Sequence, residues 1–221
     1  GMGTIAANKA STATPTARVL EERWLPGGVV KGNLIERLGG KLRSGTYSGS
    51  VKMVGTCLVQ VERQLPWGRD RSEAVLDGRG RPLYSLNRSP GSVITSRWLP
   101  MAPGSCQVNQ LNGVVLSSQV GVNAAGSGWS PNAVVQREQW LDGRVEGVAL
   151  SSYGGIGDTV TYSGSLQLDQ NSCWGRLQER DNKGQAYNYR ALVVNGRQGA
   201  RGYIYLQSDP NDLTVGWLVR D

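Results

Sequence analysis

Seven arginines crowd into one short stretch of this chain, Arg63, Arg69, Arg71, Arg79, Arg81, Arg88 and Arg97, opposed there only by Asp70, Glu73 and Asp77. A guanidinium is planar and always charged; it grips carboxylate or phosphate through two parallel hydrogen bonds and stacks on aromatic rings. Arg69, Arg71, Arg81 and Arg88, with Trp67 and Tyr84 close by, are therefore the candidate ligand-binding residues, suited to an anionic group. The competing account is a solvated hairpin surface whose charge favours solubility.

The basicity belongs to one half of the chain. Residues 1 to 110 carry 15 basic and 7 acidic side chains, and the remainder 9 and 10, within a net charge of +7. A nucleic acid is a poor match for this pattern. Nineteen of the 24 basic residues are arginine, the aromatics form no RNP-like array, and half the chain is slightly acidic. An acidic protein partner or a small amphipathic, anionic ligand fits better.

Other chemistry is thin. The chain has no histidine, which removes Ser-His-Asp and Cys-His activation and the commonest transition-metal ligand together. No catalytic residue, metal or cofactor is expected. Glu62 and Glu179 stand beside Arg63 and Arg180, but neighbours along a strand point to opposite faces, so each reads as a surface pair. The run Ser152-Tyr153-Gly154-Gly155-Ile156-Gly157 opens no helix and lacks the following lysine of a phosphate loop, so it reads as a turn. The cysteines, Cys57, Cys106 and Cys173, form no CxxC. Buried free thiols acting as small hydrophobes are the main expectation, with a Cys57 to Cys173 bridge as the alternative. Cys106, in a loop-like context after Pro103-Gly104, is the thiol expected to react if any does.

The elements that position these residues are set by an internal duplication. Thr46-Tyr47-Ser48-Gly49-Ser50 recurs as Thr161-Tyr162-Ser163-Gly164-Ser165, and Glu22-Arg23-Trp24-Leu25 as Glu138-Gln139-Trp140-Leu141. Trp24 to Cys57 and Trp140 to Cys173 are both 33 residues apart. Downstream, Val61-Glu62-Arg63 aligns with Gln178-Glu179-Arg180, Asp77-Gly78-Arg79 with Asn195-Gly196-Arg197, and Trp98-Leu99 with Trp217-Leu218. The Trp-Leu words read as core or barrel-plug residues at strand ends.

Turns at Pro26-Gly27-Gly28, Asp77-Gly78, Asn112-Gly113, Asp142-Gly143 and Asn195-Gly196 punctuate runs of alternating polarity. Thr16 to Leu25 and Asn132 to Leu141 are the helical candidates, and the β-branched pair and the turn that follows place both among the strands. The chain is thus all-β: an antiparallel meander of about 10 to 12 strands closing into a barrel, with internal pseudo-twofold duplication. By fold-level analogy it resembles a calycin or lipocalin-like barrel, as one barrel or as two half-barrels. Residues 1 to 18 read as a mobile arm, and 19 to 221 as a single β-barrel domain of two repeats, 19 to 99 and 135 to 218, joined by 100 to 134.

No stretch approaches the roughly 20 apolar residues that a membrane-spanning helix needs, and a soluble chain is expected. The leading functional expectation is a non-enzymatic ligand- or partner-binding barrel that recognises an amphipathic, anionic molecule through the first repeat's arginines. The alternatives are an enzyme or chaperone-like factor handling a carboxylated cofactor of tetrapyrrole or carotenoid type, and a structural or assembly protein that forms a homo-oligomer.

Overall fold

The computed structural model describes residues 2 to 5, 13 to 101, 104 to 195 and 201 to 218, with side chains from residue 13 onward. The chain divides into two compact units, Gly1–Leu99 and Pro100–Asp221. In the first, β1 (Met2–Ile5), β2 (Thr14–Leu25), β3 (Val29–Leu38), β4 (Lys41–Gly55), β5 (Leu58–Leu65), β6 (Gly68–Leu76), β7 (Pro82–Asn87) and β8 (Ser92–Arg97) pair in sequence order. β1 then pairs antiparallel with β8 and closes the barrel. The second unit repeats the plan with β9 (Gly113–Ala125), β10 (Gly128–Leu141), β11 (Arg144–Tyr153), β12 (Ile156–Leu168), β13 (Trp174–Asp181), β14 (Ala186–Asn195), β15 (Arg201–Gln207) and β16 (Asp212–Leu218). There β16 pairs with β9 to close the wall.

The all-β antiparallel meander, its closure and its duplication are as expected. Sixteen strands stand among the described residues where about ten to twelve were expected, because each repeat closes a barrel of its own. Residues 14 to 18, assigned to a mobile arm, begin β2, and Met2–Ile5 supply the closing strand. The segment 100 to 134, read as a connector, contributes β9 and the start of β10 to the second barrel. The reason is strand polarity: Gly-rich stretches look like loops, yet Val115, Ser117 and Gln119 alternate inward along β9.

Register sharpens the equivalence between the repeats. Tyr47 lies opposite Gly32 on β3, and Tyr162 lies opposite Gly147 on β11. A Cβ at Gly32 would collide with the Tyr47 ring, and one at Gly147 would come within 2.6 Å of Tyr162 Cζ. Each glycine thus opens the wall for a tyrosine ring laid across it, an arrangement that lets a strongly coiled sheet keep both strands paired. At Asp142-Gly143 both residues have positive φ (48° and 81°), which suits the tight turn between β10 and β11.

Two pairings inferred from the repeat are corrected by register. Gly49 pairs with Arg63 and Gly164 pairs with Glu179, so the counterpart of Arg63 is Glu179, not Arg180. Ser85 pairs with Ser96 and Tyr205 with Gly216, so the inward Trp98 corresponds to Leu218, while Trp217 points outward. A one-residue slip exchanges the two faces of a strand, and a short shared word does not resolve it. Gly196 and Arg197, matched to Gly78 and Arg79, lie outside the described residues.

The second barrel carries a disulfide between Cys106 and Cys173, with Cα atoms 5.3 Å apart. Cys173 sits in the β12–β13 turn, and Cys106 donates its backbone N–H to the Gln170 carbonyl. The bridge pins the segment preceding β9, whose 3-10 turn (Val108–Leu111) buries Leu111 in the barrel core. Neither the Cys57 to Cys173 pairing nor a set of buried free thiols is found: Cys57 is free and exposed. Cys106, picked as the reactive thiol, is buried and oxidised. Closure of a 67-residue separation constrains the unfolded chain by about 4 kcal/mol. Replacing Cys106 and Cys173 by serine should lower stability by about 2–4 kcal/mol in equilibrium denaturation. The same change at Cys57 should leave it within about 0.5 kcal/mol.

Candidate functional site

An eight-stranded barrel is just wide enough for its interior to be filled by side chains or to hold one small ligand. These two interiors hold apolar clusters together with a set of buried polar groups. In both barrels the second strand directs a glutamate inward two residues before a tryptophan. Glu22 accepts from Trp24 Nε1 (2.6 Å) and from the Tyr47 hydroxyl (2.9 Å). Glu138 likewise accepts from Trp140 Nε1 (2.6 Å) and from the Tyr162 hydroxyl (3.1 Å). The words that reveal the duplication, Glu-x-Trp-Leu and Thr-Tyr-Ser-Gly-Ser, therefore encode one buried carboxylate and its two donors.

Around this shared centre the barrels diverge. In the first, Arg63 forms charge-assisted bonds from Nε and Nη2 to Glu22, and its Nη1 reaches Asp70 (3.1 Å) and Ser72 (2.7 Å). Arg18 Nη1 reaches the other Asp70 oxygen at 2.9 Å, and the Asn87 amide also donates to it. Trp98 closes the cluster, edge-on to Trp24 at 5.7 Å and with the Arg63 guanidinium 6.0 Å from its ring centroid. Burial alone would raise the Asp70 carboxyl, and the Arg18 and Arg63 charges override it and hold it below the usual carboxylate range. Arg63 and Asp70, grouped by sequence with the exposed charges, are thus core residues.

The second barrel has a carboxyl, Glu179, where the first has Arg63. Glu138 is satisfied by neutral donors: besides Trp140 and Tyr162, it accepts from Tyr203 (3.0 Å) and Ser117 (3.1 Å). Tyr189, Tyr203 and Tyr205 pack beside it, ring centroids 5.2 Å apart for Tyr189 with Tyr205 and 5.4 Å for Tyr203 with Tyr205. Glu179 projects inward and is buried, and no hydrogen bond to its carboxyl is formed among the described residues. Burial pushes the Glu138 carboxyl up, and its four donors pull it part of the way back. Burial and the Glu138 charge together push Glu179 well above the ordinary carboxylate value. Both carboxyls of the pair thus stand above the ordinary carboxylate range, Glu179 the further of the two.

The sequence-selected residues divide. Arg69, Arg71 and Arg88 stand together on the outer wall: Arg88, the residue after β7, lies across from Arg71 on β6, tied by Arg88 N–H to Arg71 C=O, and Arg69 is two residues along. Arg71 also donates to Gln60, and Arg88 lies 3.8 Å from Glu73. Tyr84, 61% exposed, is further along the same face, opposite Val75 on one side and Arg97 on the other. Arg81 is apart, in the β6–β7 turn, where it pairs with Asp77. Trp67 is half-buried in the β5–β6 turn, under the Arg43 guanidinium at 4.1 Å. The two acids read as equivalent surface groups separate, Glu62 lying outward and exposed, Glu179 inward. Glu22, Glu138 and the tyrosine cluster were not singled out as a site, although their recurrence in both repeats was the available signal.

No protein-family model and no curated protein matches this chain. Its closed barrels are established by strand pairing alone, and no helix among the described residues is long and apolar enough to cross a membrane.

Interior and exterior arginines should behave differently on substitution. Arg63→Ala strands Glu22 and Asp70 without their shared cation and should cost about 3–5 kcal/mol. Arg69→Ala should stay within about 0.5 kcal/mol, both read by urea unfolding. The raised Glu179 carboxyl gives a second expectation. A carboxyl whose pKa is raised by folding makes the native state bind the extra proton, so stability falls as pH rises above the unfolded value of about 4.3. Glu179→Gln should remove that component, raising stability relative to wild type at pH near 8 and narrowing the difference near pH 5. Denaturation midpoints across that range check it.

Proposed function

We propose that this chain is a non-enzymatic binding protein whose first barrel engages an acidic protein partner through the outer face of β6, β7 and β8. The observation that carries this reading is the orientation of its arginines. Arg18 and Arg63 are used up inside the barrel by Glu22 and Asp70, whereas Arg69, Arg71 and Arg88 project from the wall. The same face exposes Val75, Tyr84, Leu86 and Val93. Arginine interleaved with tyrosine and aliphatic side chains is the composition of protein-binding surfaces, where guanidinium and ring supply most of the affinity. Glu62, across from Arg71 on β5, and Glu73 punctuate the charge and favour a partner with a defined pattern over a uniform polyanion.

This orientation bears on the small-ligand form of the same idea. An eight-stranded up-and-down barrel is the architecture of lipocalin-like carriers, which hold ligands inside the barrel. Arginines on the outer wall do not reach a ligand held there, and a carboxylated cofactor would meet them only at the surface. A macromolecular partner uses them directly.

A random copolymer of glutamate and tyrosine is a suitable probe, since it offers carboxylates and rings together. At low salt it should bind saturably, and Arg69→Ala, Arg71→Ala and Arg88→Ala combined should weaken it by about tenfold or more, with the thermal unfolding midpoint unchanged. Added salt should weaken it as well. Equal binding by the triple variant would remove the proposal.

A further inference from the structure

The duplication supplies its own comparison for the unpaired carboxyl in the second barrel. Within the first barrel the shared Glu-Trp-Tyr centre is completed by a cation, the Arg63 guanidinium, which bridges Glu22 to Asp70. The second barrel keeps the centre as Glu138, Trp140 and Tyr162 but presents Glu179 at the Arg63 position. Glu138 is already supplied by four neutral donors, so the unmet demand is at Glu179. A second acceptor is also unmet: Gln119 is 4% exposed, faces inward from β9 beside Gly216, and its Oε1 has no hydrogen-bond partner. The Tyr205 ring lies over that same Gly216 and packs against Tyr189, which stands on the strand next to Glu179.

The end of the barrel away from Trp140 has the same sign. One end of this barrel is filled by Leu111 and Trp140. Toward the other lie Asp181, the next inward residue after Glu179 along β13, and the half-buried Tyr153 and Tyr187. Two residues of strand place Glu179 about 6–7 Å deeper than Asp181. The Tyr153 hydroxyl is pushed up to about 12 by burial and by the negative charges of Asp212 and Asp181. Lys183, in the adjoining turn, is engaged with Asp158 at 2.6 Å.

We propose that the second barrel is a binding site for a small organic cation bearing N–H donors, of guanidinium or ammonium type, which pairs with Glu179 as Arg63 pairs with Glu22. A metal ion is the poorer fit, because among the described residues no group of three or more acids or cysteines is placed to hold one. An organic cation suits the remaining features. Its N–H groups donate to a carboxylate, and the faces of Tyr189, Tyr203 and Tyr205 stabilise positive charge. The ligand is small, since the tyrosines occupy much of an interior of this width.

Methylguanidinium and its neutral analogue N-methylurea make the test, titrated into the whole protein by calorimetry and followed by tyrosine fluorescence. Methylguanidinium should bind saturably at one site in the millimolar range or tighter, and methylurea should not. Glu179→Gln should weaken binding by about tenfold or more. Glu179→Arg supplies the cation from within, as the first barrel does, and should abolish binding while raising the unfolding midpoint. Glu146→Gln, on the outer wall, should bind as wild type does. Absence of saturable binding to the wild type overturns the proposal, as does equal binding of methylurea or undiminished binding by the Glu179→Gln variant. The wild-type titration decides even where Glu179→Arg fails to fold.

Discussion

A carboxylate buried in the wall of a closed barrel must be given partners from inside that barrel, and both halves of this protein are arranged around that demand. Glu22 and Glu138 each lie two residues before a tryptophan on the second strand and receive its indole N–H. The fourth strand then supplies a tyrosine hydroxyl. For that hydroxyl to arrive, the tyrosine ring must lie flat over the third strand, and that strand must carry glycine, Gly32 or Gly147, beneath it. Four residues on three strands are therefore linked by one electrostatic need, and a change at any of them disturbs the others. An unpaired buried carboxylate is costly enough to explain why this set is shared when so much of the surrounding sequence differs.

The two barrels complete that centre in opposite ways. The first adds charge: Arg63 and Arg18 alternate with Glu22 and Asp70, so that each ion faces an opposite one. The second adds neutral donors and rings, with Tyr189 where the first has Ser72 and Tyr205 where it has Ser85. Rings in the second barrel thus occupy positions that are held by hydroxyl side chains in the first. Net charge is not conserved, because Glu179 takes the Arg63 position. An ion network of the first type fixes its barrel as a scaffold, since breaking a buried pair leaves charges with no water to receive them. The second barrel instead buries Glu179 with no hydrogen bond to its carboxyl among the described residues.

Much of this was legible from residue order. Period-two runs and paired turn residues specify strands and hairpins, and the equal spacing from Trp24 to Cys57 and from Trp140 to Cys173 specifies two copies of one unit. Closure of each copy on itself was less legible, because it depends on β1 and β9, one of them only four residues long and the other rich in glycine and serine. The site was read less well for a related reason. Arg63, Asp70, Arg69 and Arg71 are near neighbours in sequence, yet the first two are inside and the last two outside. Charge clustering along a strand mixes both faces, and only parity against a known inward residue separates them. Val61, buried at 0% exposure, supplies that parity for Arg63.

Parity also accounts for the misplaced equivalence of Glu62 with Glu179. The words Val-Glu-Arg and Gln-Glu-Arg match by letter but stand one step apart in register, so the letters shared by the two copies occupy opposite faces. The physically conserved feature in that strand is the inward position itself, while its charge is reversed. For a duplicated barrel this is where new binding is most easily acquired. The wall is held by backbone pairing and by the Glu-Trp-Tyr centre, so an inward residue outside that centre can change sign without unravelling the sheet. The space it faces then recognises a different charge. In the first barrel the position is closed by its own arginine, and Arg69, Arg71 and Arg88 lie outside. In the second the exposed cations, among them Arg137, Arg144, Arg176 and Arg180, are matched by acids such as Glu146 and Asp158, and a carboxyl unpaired among the described residues lies within. The two proposed sites therefore differ in sign and in the side of the wall they use.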